Sequence, residues 1–218
     1  MEFRLIKAII FDMDGVVLDS EKLYAKGGIE LFREYGVEIP DEDWKLYRGC
    51  SEKRFYDISM ERYNITENRE IFMAKGRRKI SEVFEQELDF MDGFKEFIKR
   101  IPHLQIALVT STRDDLFEWM DGKLDIRDMF SYVITGDMVK NPKPHPEPFL
   151  KMIEKLGIEP SECIVVEDSV HGINSGMASG AYVVALEGSL HRSDMPKSHK
   201  IISHFDEFTS ELIESFNE

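Results

Sequence analysis

The chain contains 218 residues and carries a formal net charge of −14, because 42 acidic side chains outnumber 28 basic ones. This balance argues against a nucleic-acid-binding protein, which needs a basic surface, and against binding to an anionic membrane. Only two cysteines are present, Cys50 and Cys163, so we expect no disulfide framework and a reducing, cytoplasmic location. No apolar run approaches the roughly 20 residues that span a bilayer.

The first 90 residues predict one buried strand followed by helices. The strand covers residues 6–11, which are apolar apart from Lys7. Segments with one polar and one apolar face predict helices over 20–35, 45–63 and 70–84. Because no strand is indicated between 18 and 90, we interpret this region as an insertion.

From Asp92 onward, short apolar segments alternate with amphipathic ones. Strands are predicted over 105–109, 132–134, 163–166 and 181–185. Helices are predicted over 93–101, 112–120, 148–156, 170–179 and 205–216, with Thr112 and Asp115 as a capping box. This alternation predicts an α/β fold, a doubly wound parallel sheet with helices on both faces. The core domain then comprises 1–17 and 91–218, and the inserted helical domain comprises 18–90.

Polar side chains follow four of the predicted strands, at the edge where parallel sheets bind ligands. Asp12 and Asp14 follow the first strand, in "AIIFDMDGVV". The residues that follow the other strands are Thr110, Ser111, Thr112, Lys143, Glu167 and Asp168. Each has a simpler interpretation, as a turn residue, a helix cap or a solvated charge. Their joint placement at separate strand ends favours one shared site.

Clustered carboxylates require a cation, because like charges at close range repel. A site that offers only oxygen ligands favours Mg²⁺. One aspartate is then available as a nucleophile toward phosphorus, and a second acid can protonate the leaving group and later deprotonate water. Thr110 and Lys143 would hold the phosphoryl oxygens. The residues therefore predict phosphoryl-transfer chemistry.

Four segments resemble the motifs of the haloacid dehalogenase superfamily, in its branch of Mg²⁺-dependent phosphatases and phosphomutases. They are "DMDGVVLDS", "LVTST", "NPKPHPEPF" and "VVEDS". The resemblance implies a Rossmann-like core and identifies residues 18–90 as a helical cap domain that closes over the site. It also implies that the substrate is a small phosphorylated metabolite.

The resemblance assigns a role to each motif residue. It makes Asp12 the nucleophile that forms an aspartyl-phosphate, and Asp14 the general acid and base. Thr110 would bind the phosphoryl group, and Lys143 would neutralise its charge. The implied Mg²⁺ ligands are Asp12, the backbone carbonyl of Asp14 and Asp168, with Glu167 as a closer or water-mediated partner.

Neighbouring activities in the superfamily are alternatives. Dehalogenases and phosphonate hydrolases of the superfamily lack the second acid of the first motif. This chain has that acid, Asp14, so both activities are disfavoured. A β-phosphoglucomutase-like sugar phosphomutase is the main alternative, because its motifs are almost the same. Such mutases have a cap histidine where Tyr24 stands here, and an arginine where Glu52 stands, so both departures favour a phosphatase. A non-catalytic regulator with this fold is a second alternative, which the intact motif residues disfavour.

The cap segment "RGCSEKRFYD" is expected to recognise the substrate. Arg48 and Lys53, together with Ser111 from the core, are the candidate substrate-binding residues. The alternative is that these basic side chains pair with acids on a solvated helix face. Sugar phosphates, nucleoside monophosphates and phosphoglycolate are all open as substrates, and the sequence predicts no oligomeric state.

Overall fold

A computed structural model describes residues 5–47 and 52–217 of the chain. The chain forms two compact units. The core unit comprises Met1–Leu18 and Phe90–Glu218, and the helical unit comprises Asp19–Asp89. The helical unit is therefore one continuous stretch inserted into the sequence of the core unit. The assignment of these parts as a catalytic core and a cap stays a prediction.

The core unit contains a six-stranded parallel sheet, so the predicted doubly wound α/β fold is confirmed. The strands are β1 (Ala8–Phe11), β2 (Gln105–Val109), β3 (Tyr132–Ile134), β4 (Cys163–Glu167), β5 (Tyr182–Leu186) and β6 (Lys200–Ile202). Their spatial order is β3-β2-β1-β4-β5-β6. Strand β1 lies between β2 and β4, where the strand order reverses. Open α/β sheets bind their ligands at this position.

The helices are divided between the two units. The helical unit contains α1 (Glu21–Arg33), α2 (Glu52–Arg62) and α3 (Arg69–Glu87). The core unit contains α4 (Phe94–Arg100), α5 (Asp114–Leu124), α6 (Glu147–Leu156), α7 (Val170–Ser179) and α8 (Ser210–Glu214). Of the helices in residues 5–47 and 52–217, none combines membrane-spanning length with an apolar composition.

Both faces of the sheet are covered by apolar side chains. Alternate residues of a strand point to opposite faces. Ile10 of β1 belongs to a buried cluster with Phe149 of α6 and Ile173 of α7. Phe11 lies on the other face, where its ring centroid is 5.5 Å from that of Phe94 in α4. The sheet is thus buried on both sides, as is usual for parallel strands.

The helical unit has an aromatic core of its own. The ring centroids of Phe32 and Phe72 lie 6.2 Å apart, and those of Tyr56 and Phe72 lie 5.5 Å apart. All three side chains are buried. This core explains how a segment of helices forms a compact unit without a sheet.

The start of α5 differs from the prediction. The helix begins at Asp114 instead of Thr112, and its N-cap residue Arg113 makes no side-chain capping hydrogen bond. The predicted capping box of Thr112 and Asp115 is therefore wrong. The physical reason is that the Thr112 hydroxyl donates to the carboxylate of Asp14.

Two further elements differ from the prediction. The predicted helix over 205–216 is a short 3-10 turn, Phe205–Glu207, followed by α8. Phe205 and Phe208 are both buried, and Thr209 then caps α8 by accepting the backbone N–H of Leu212 at 3.3 Å. Strand β6, with the sequence Lys-Ile-Ile, has only two apolar residues, and it is absent from the predicted elements. The predicted helix over 45–63 is also shorter in the described part of the chain. A 3-10 turn ends at Leu46, and α2 covers only Glu52–Arg62.

Candidate active site

The carboxyl ends of three neighbouring strands bring predicted site residues to one edge of the sheet. Asp12 directly follows β1, and its backbone N–H donates to the carbonyl oxygen of Val166 in β4 at 2.9 Å. Thr110 directly follows β2, and Glu167 is the last residue of β4. Asp12, Thr110 and Glu167 are all buried. The expected convergence of these residues is present in the structure.

Lys143 joins these strand ends. Its ammonium group contacts Oδ1 of Asp12, and it donates to Oε1 of Glu167 at 2.7 Å and to the carbonyl oxygen of Val109 at 3.0 Å. The side chain is only 5% exposed, so these acceptors replace water. Burial alone lowers the pKa of Lys143, but the carboxylates of Asp12 and Glu167 raise it above its ordinary value. Lys143 is therefore a buried, permanently charged cation and not a solvated one.

Asp12 lies in an unfavourable electrostatic environment. Burial raises the pKa of its carboxyl group well above the ordinary value, and the carboxylates of Glu167 and Asp168 raise it further. Lys143 lowers the pKa of Asp12 but does not cancel these effects. The ionised form of Asp12 therefore requires positive charge beyond that of Lys143.

Three carboxylates form a group that could hold a metal ion. Asp12, Glu167 and Asp168 each offer an oxygen atom within 4.8 Å of the others, and all three residues are buried. Carboxylate oxygens are the ligands that hard divalent cations prefer. The donor set therefore fits the predicted metal site. The group does not include the carboxylate of Asp14, and the expected role of the Asp14 backbone carbonyl as a ligand stays a prediction.

The Glu167 carboxylate is held by the two residues that precede α7. Its Oε2 accepts the backbone N–H groups of Asp168 and Ser169, each at 3.1 Å, and the Ser169 hydroxyl at 3.0 Å. Ser169 also caps α7, because its hydroxyl oxygen accepts the N–H of Gly172 at 3.0 Å. A Cβ atom at Gly172 would overlap the Glu167 carboxylate. Gly172 is thus part of the site although it carries no functional group.

The Asp14 carboxylate is bound by the loop that follows β2. The hydroxyl of Thr112 donates to Oδ2 of Asp14 at 2.8 Å. The backbone N–H of Thr112 donates to Oγ1 of Thr110 at 3.0 Å. This second bond occupies a lone pair of the Thr110 oxygen and does not use its hydroxyl hydrogen. Thr112 therefore connects two of the predicted site residues, Asp14 and Thr110.

The predicted substrate-binding residues stay predictions. Ser111 is exposed in the loop after β2. Lys53 is exposed on α2 of the helical unit, where its backbone carbonyl accepts a hydrogen bond from Arg69 at 3.2 Å. Arg48 lies outside the described residues.

Three residues make contacts in the site that the sequence did not predict, although Thr112 was expected at this edge of the sheet. Thr112 and Ser169 both precede helices, and hydroxyl residues in that position are ordinarily interpreted as helix caps. Gly172 does carry a signal, because glycine inside a helix is about 1 kcal/mol less favourable than alanine. Its presence in the first turn of α7 indicates close approach by another group.

The chain is similar to known proteins over most of its length. The family described as haloacid dehalogenase-like hydrolase matches residues 9–186. A phosphorylated carbohydrates phosphatase from Thermotoga maritima is 30% identical over 177 residues, which cover 80% of this chain and 82% of the relative. The fructose-1-phosphate phosphatase YqaB from Escherichia coli is 29% identical over 180 residues, which cover 79% of this chain and 92% of the relative.

A crystal structure from Thermotoga maritima, described as a candidate β-phosphoglucomutase, has the same fold. Its TM-score is 0.82 at 28% sequence identity, and the match covers 96% of this chain and 99% of that one. The likeness therefore includes both the core unit and the helical unit.

Proposed function

Since the chain belongs to the family of haloacid dehalogenase-like hydrolases, we propose that it is a phosphatase that hydrolyses a small phosphate monoester, such as a sugar phosphate. The observation that carries this proposal is the meeting of Asp12, Lys143, Glu167 and Asp168 at one edge of the sheet. Two relatives named as phosphatases of phosphorylated carbohydrates and of fructose 1-phosphate support the substrate class. We further propose a cytoplasmic location, because the sequence has only two cysteines.

Thr110 and Lys143 are suited to binding the phosphoryl group. The hydroxyl hydrogen of Thr110 is not used by the bond from Thr112, so it can be donated to a phosphoryl oxygen. The ammonium group of Lys143 is already anchored by Glu167 and Val109, and it lies against Asp12. A preorganised cation at this point stabilises negative charge on the transferring group without first having to be reoriented.

The proposed reaction has two steps. In the first, a carboxylate oxygen of Asp12 attacks phosphorus while the bond from phosphorus to the leaving oxygen breaks. Protonated Asp14 gives its proton to that oxygen, so a neutral alcohol departs. In the second, ionised Asp14 takes a proton from water while the water oxygen attacks the aspartyl-phosphate. Inorganic phosphate leaves, and the original protonation states of Asp12 and Asp14 are restored.

The donor set fits Mg²⁺, which prefers oxygen ligands. We propose that the side chains of Asp12 and Asp168 hold it, together with the backbone carbonyl of Asp14. When bound, Mg²⁺ offsets the charge of the carboxylates and of the transferring phosphoryl group. For Glu167 we favour a water-mediated contact, because both of its oxygens already accept hydrogen bonds from Lys143 and Ser169.

A sugar phosphomutase is the alternative function, supported by the likeness to the candidate β-phosphoglucomutase. Two positions in the helical unit favour the phosphatase. Glu52, at the position of the mutase arginine, accepts hydrogen bonds from Arg77 at 2.7 and 2.8 Å. Tyr24, at the position of the mutase histidine, packs its ring against Phe84 with centroids 4.9 Å apart. For substrate binding we propose Ser111, Arg48 and Lys53.

A panel of phosphate esters tests the proposal. The chain is assayed with fructose 1-phosphate, 6-phosphogluconate, phosphoglycolate and β-glucose 1-phosphate, each in Mg²⁺ and in EDTA. Both free phosphate and glucose 6-phosphate are measured. We expect phosphate release in Mg²⁺ and its loss in EDTA. Formation of glucose 6-phosphate without free phosphate would instead identify a mutase, and the absence of both products would favour the non-catalytic regulator.

The nucleophile is tested by Asp12→Asn, with the exposed residue Asp128 as the matched control. We expect Asp12→Asn to lose turnover, because an amide is a poor nucleophile toward phosphorus, and Asp128→Asn to retain it. Rapid-quench labelling of the unaltered chain should detect a phosphoenzyme that hydroxylamine cleaves. Near-native turnover by Asp12→Asn would contradict the assignment.

A further inference from the structure

The Thr112 hydroxyl is committed to Asp14. It donates to Oδ2 of Asp14 at 2.8 Å, across 98 positions of sequence, and both residues are half-buried. A threonine just before a helix ordinarily caps that helix. Here α5 begins at Asp114 after the N-cap residue Arg113, so Thr112 has no capping role. The bond to Asp14 is therefore the contact that its hydroxyl group makes.

Backbone hydrogen bonds fix Thr112 on both sides. Its N–H donates to Oγ1 of Thr110 at 3.0 Å, and its carbonyl oxygen accepts the N–H of Gly136 at 2.8 Å. A Cβ atom at Gly136 would overlap the carbonyl oxygen of Ser111, so the two loops approach as closely as glycine permits. The Thr112 hydroxyl consequently has a defined position relative to Thr110.

The backbone that carries Asp14 is fixed as well. The carbonyl oxygen of Met13 accepts the N–H groups of Val17 and Leu18, each at 2.9 Å. The N–H of Gly15 donates to the carbonyl oxygen of Leu18 at 2.9 Å. The remaining freedom of Asp14 is rotation of its side chain, and the bond to Thr112 selects one orientation.

We propose that Thr112 is a positioning residue, whose hydroxyl holds the Asp14 carboxyl group in the orientation that exchanges a proton with the leaving oxygen and with water. This inference rests on the proposed function. Thr112 transfers no proton to the substrate. The proton moves from Asp14 to the leaving oxygen in the first step and from water to Asp14 in the second. Displacement of a reacting group by about 1 Å can lower a rate by about 100-fold, so loss of this bond should be measurable.

The experiment compares two esters that differ in their need for an acid. Fructose 1-phosphate has a poor alkoxide leaving group, whereas p-nitrophenyl phosphate has a good one. The value of kcat/KM reports the steps up to departure of the first product, and so isolates the acid role of Asp14.

The variants are Thr112→Val, which keeps the shape without the hydroxyl, and Thr112→Ser, which keeps the hydroxyl. Thr66→Val, at an exposed threonine of the helical unit, is the matched control.

We expect Thr112→Val to lower kcat/KM for fructose 1-phosphate by about 10- to 100-fold. For p-nitrophenyl phosphate it should stay within about threefold of the native value, because that leaving group departs without an acid. The value of kcat should fall for both esters, since both form the same phosphoenzyme and its hydrolysis needs Asp14 as base. Thr112→Ser should restore near-native values. In an Asp14→Asn background, Thr112→Val should cause no further loss, because the two residues act as one unit.

Several outcomes would overturn the inference. An equal fall in kcat/KM for both esters would indicate a structural role only, and native behaviour of Thr112→Val would indicate none. Melting curves confirm that each variant is folded, and Thr112→Ala replaces the valine variant if that protein does not fold. If the unaltered chain hydrolyses another ester of the panel but not fructose 1-phosphate, that ester takes its place. If it hydrolyses neither p-nitrophenyl phosphate nor any ester of the panel, the proposed function fails and the inference fails with it. If the unaltered chain is active and only the expected selectivity is missing, the inference alone fails.

Discussion

Gly172 and Glu167 are in such close contact that a single methyl group on residue 172 would occupy the space of the glutamate carboxylate. Glu167 in turn accepts a hydrogen bond from Lys143 at 2.7 Å. The position of the buried lysine therefore depends on a residue that has no side chain. This dependence can be tested without changing any charged group.

Gly172→Ala should displace the Glu167 carboxylate and loosen its bond to Lys143. We expect phosphatase turnover to fall by about 10- to 100-fold, the usual cost of disturbing a group that supports a reactive site. The free energy of unfolding should fall by about 1–3 kcal/mol, because a buried carboxylate loses hydrogen bonds. Steady-state kinetics and urea unfolding measure the two effects.

Gly122→Ala is the control for that substitution. Gly122 lies in α5, and a Cβ atom there would meet nothing within 4 Å. Alanine should stabilise the protein by about 0.4–1 kcal/mol, because it lowers the conformational entropy of the unfolded chain. Turnover should be unchanged. If both alanine variants behaved alike, the contact between Gly172 and Glu167 would have no functional importance.

Asp14→Asn should separate the two steps of the proposed reaction. With acetyl phosphate, whose leaving group needs no acid, the variant should still form the phosphoenzyme. Its hydrolysis should be slower by about 10²- to 10⁴-fold, because the attacking water lacks a base. Rapid-quench measurements of phosphoenzyme formation and decay give both rates. A native decay rate in the variant would show that Asp14 is not the base.

Five of the six strands and their polar edge are predictable, because each of these strands is a short apolar run that ends at or just before a polar residue. Strand β4 illustrates this, since Cys163–Glu167 is buried throughout and ends at a site residue. The hydrogen-bond partner of each polar side chain cannot be predicted from such local patterns. Thr112 has the local sequence of a helix cap, yet it bonds Asp14 across 98 positions. Such pairings depend on how distant loops meet, which local periodicity does not encode.

Mg²⁺ should stabilise the folded chain, because the clustered carboxylates exist only there. The expected gain is about 2.7 kcal/mol at a concentration 100 times Kd, or about 5–10 °C in melting temperature for a chain of this size. Melting curves in EDTA and in millimolar Mg²⁺ measure the shift. Ca²⁺ should also stabilise the protein but fail to support turnover, because its coordination is looser.

Asp168→Asn should shrink this shift by removing a ligand. It should also raise the melting temperature in EDTA, because the Asp168 carboxylate is one of the groups that raise the pKa of Asp12. Asp128→Asn, at an exposed position, should do neither. Identical melting temperatures of the unaltered chain with and without Mg²⁺, together with activity in EDTA, would exclude the metal site.

His199 should make stability depend on pH. Its Nδ1 atom accepts the backbone N–H of Val183 at 3.0 Å, and partial desolvation of the ring together with the nearby Lys197 lowers the pKa of His199 below its ordinary value of 6.5. The unfolded chain therefore binds a proton more readily than the folded one. Neutral His199 therefore contributes to the free energy of unfolding above about pH 6.5, and this contribution is lost as the pH falls below that value.

His199→Asn presents an amide oxygen near the position of Nδ1 and does not titrate. The difference in unfolding free energy between pH 7.5 and pH 5.5 should therefore be smaller in this variant than in the unaltered chain. The change should not exceed about 1 kcal/mol, since one hydrogen bond is involved and the group is partly solvated. His103→Asn, at an exposed histidine, should retain the native pH dependence.

The central position of β1 has a consequence for synthesis of the protein. Strand β1 pairs with β2 and β4, which begin at Gln105 and Cys163. The ionic contact that Lys143 makes with Asp12 joins residues 131 positions apart. On a ribosome that adds about 5–20 residues per second, the two aspartates of the first motif emerge many seconds before their counter-charge. We therefore expect the helical unit, a continuous stretch, to fold first, and the reactive centre to be among the last parts of the nascent chain to form.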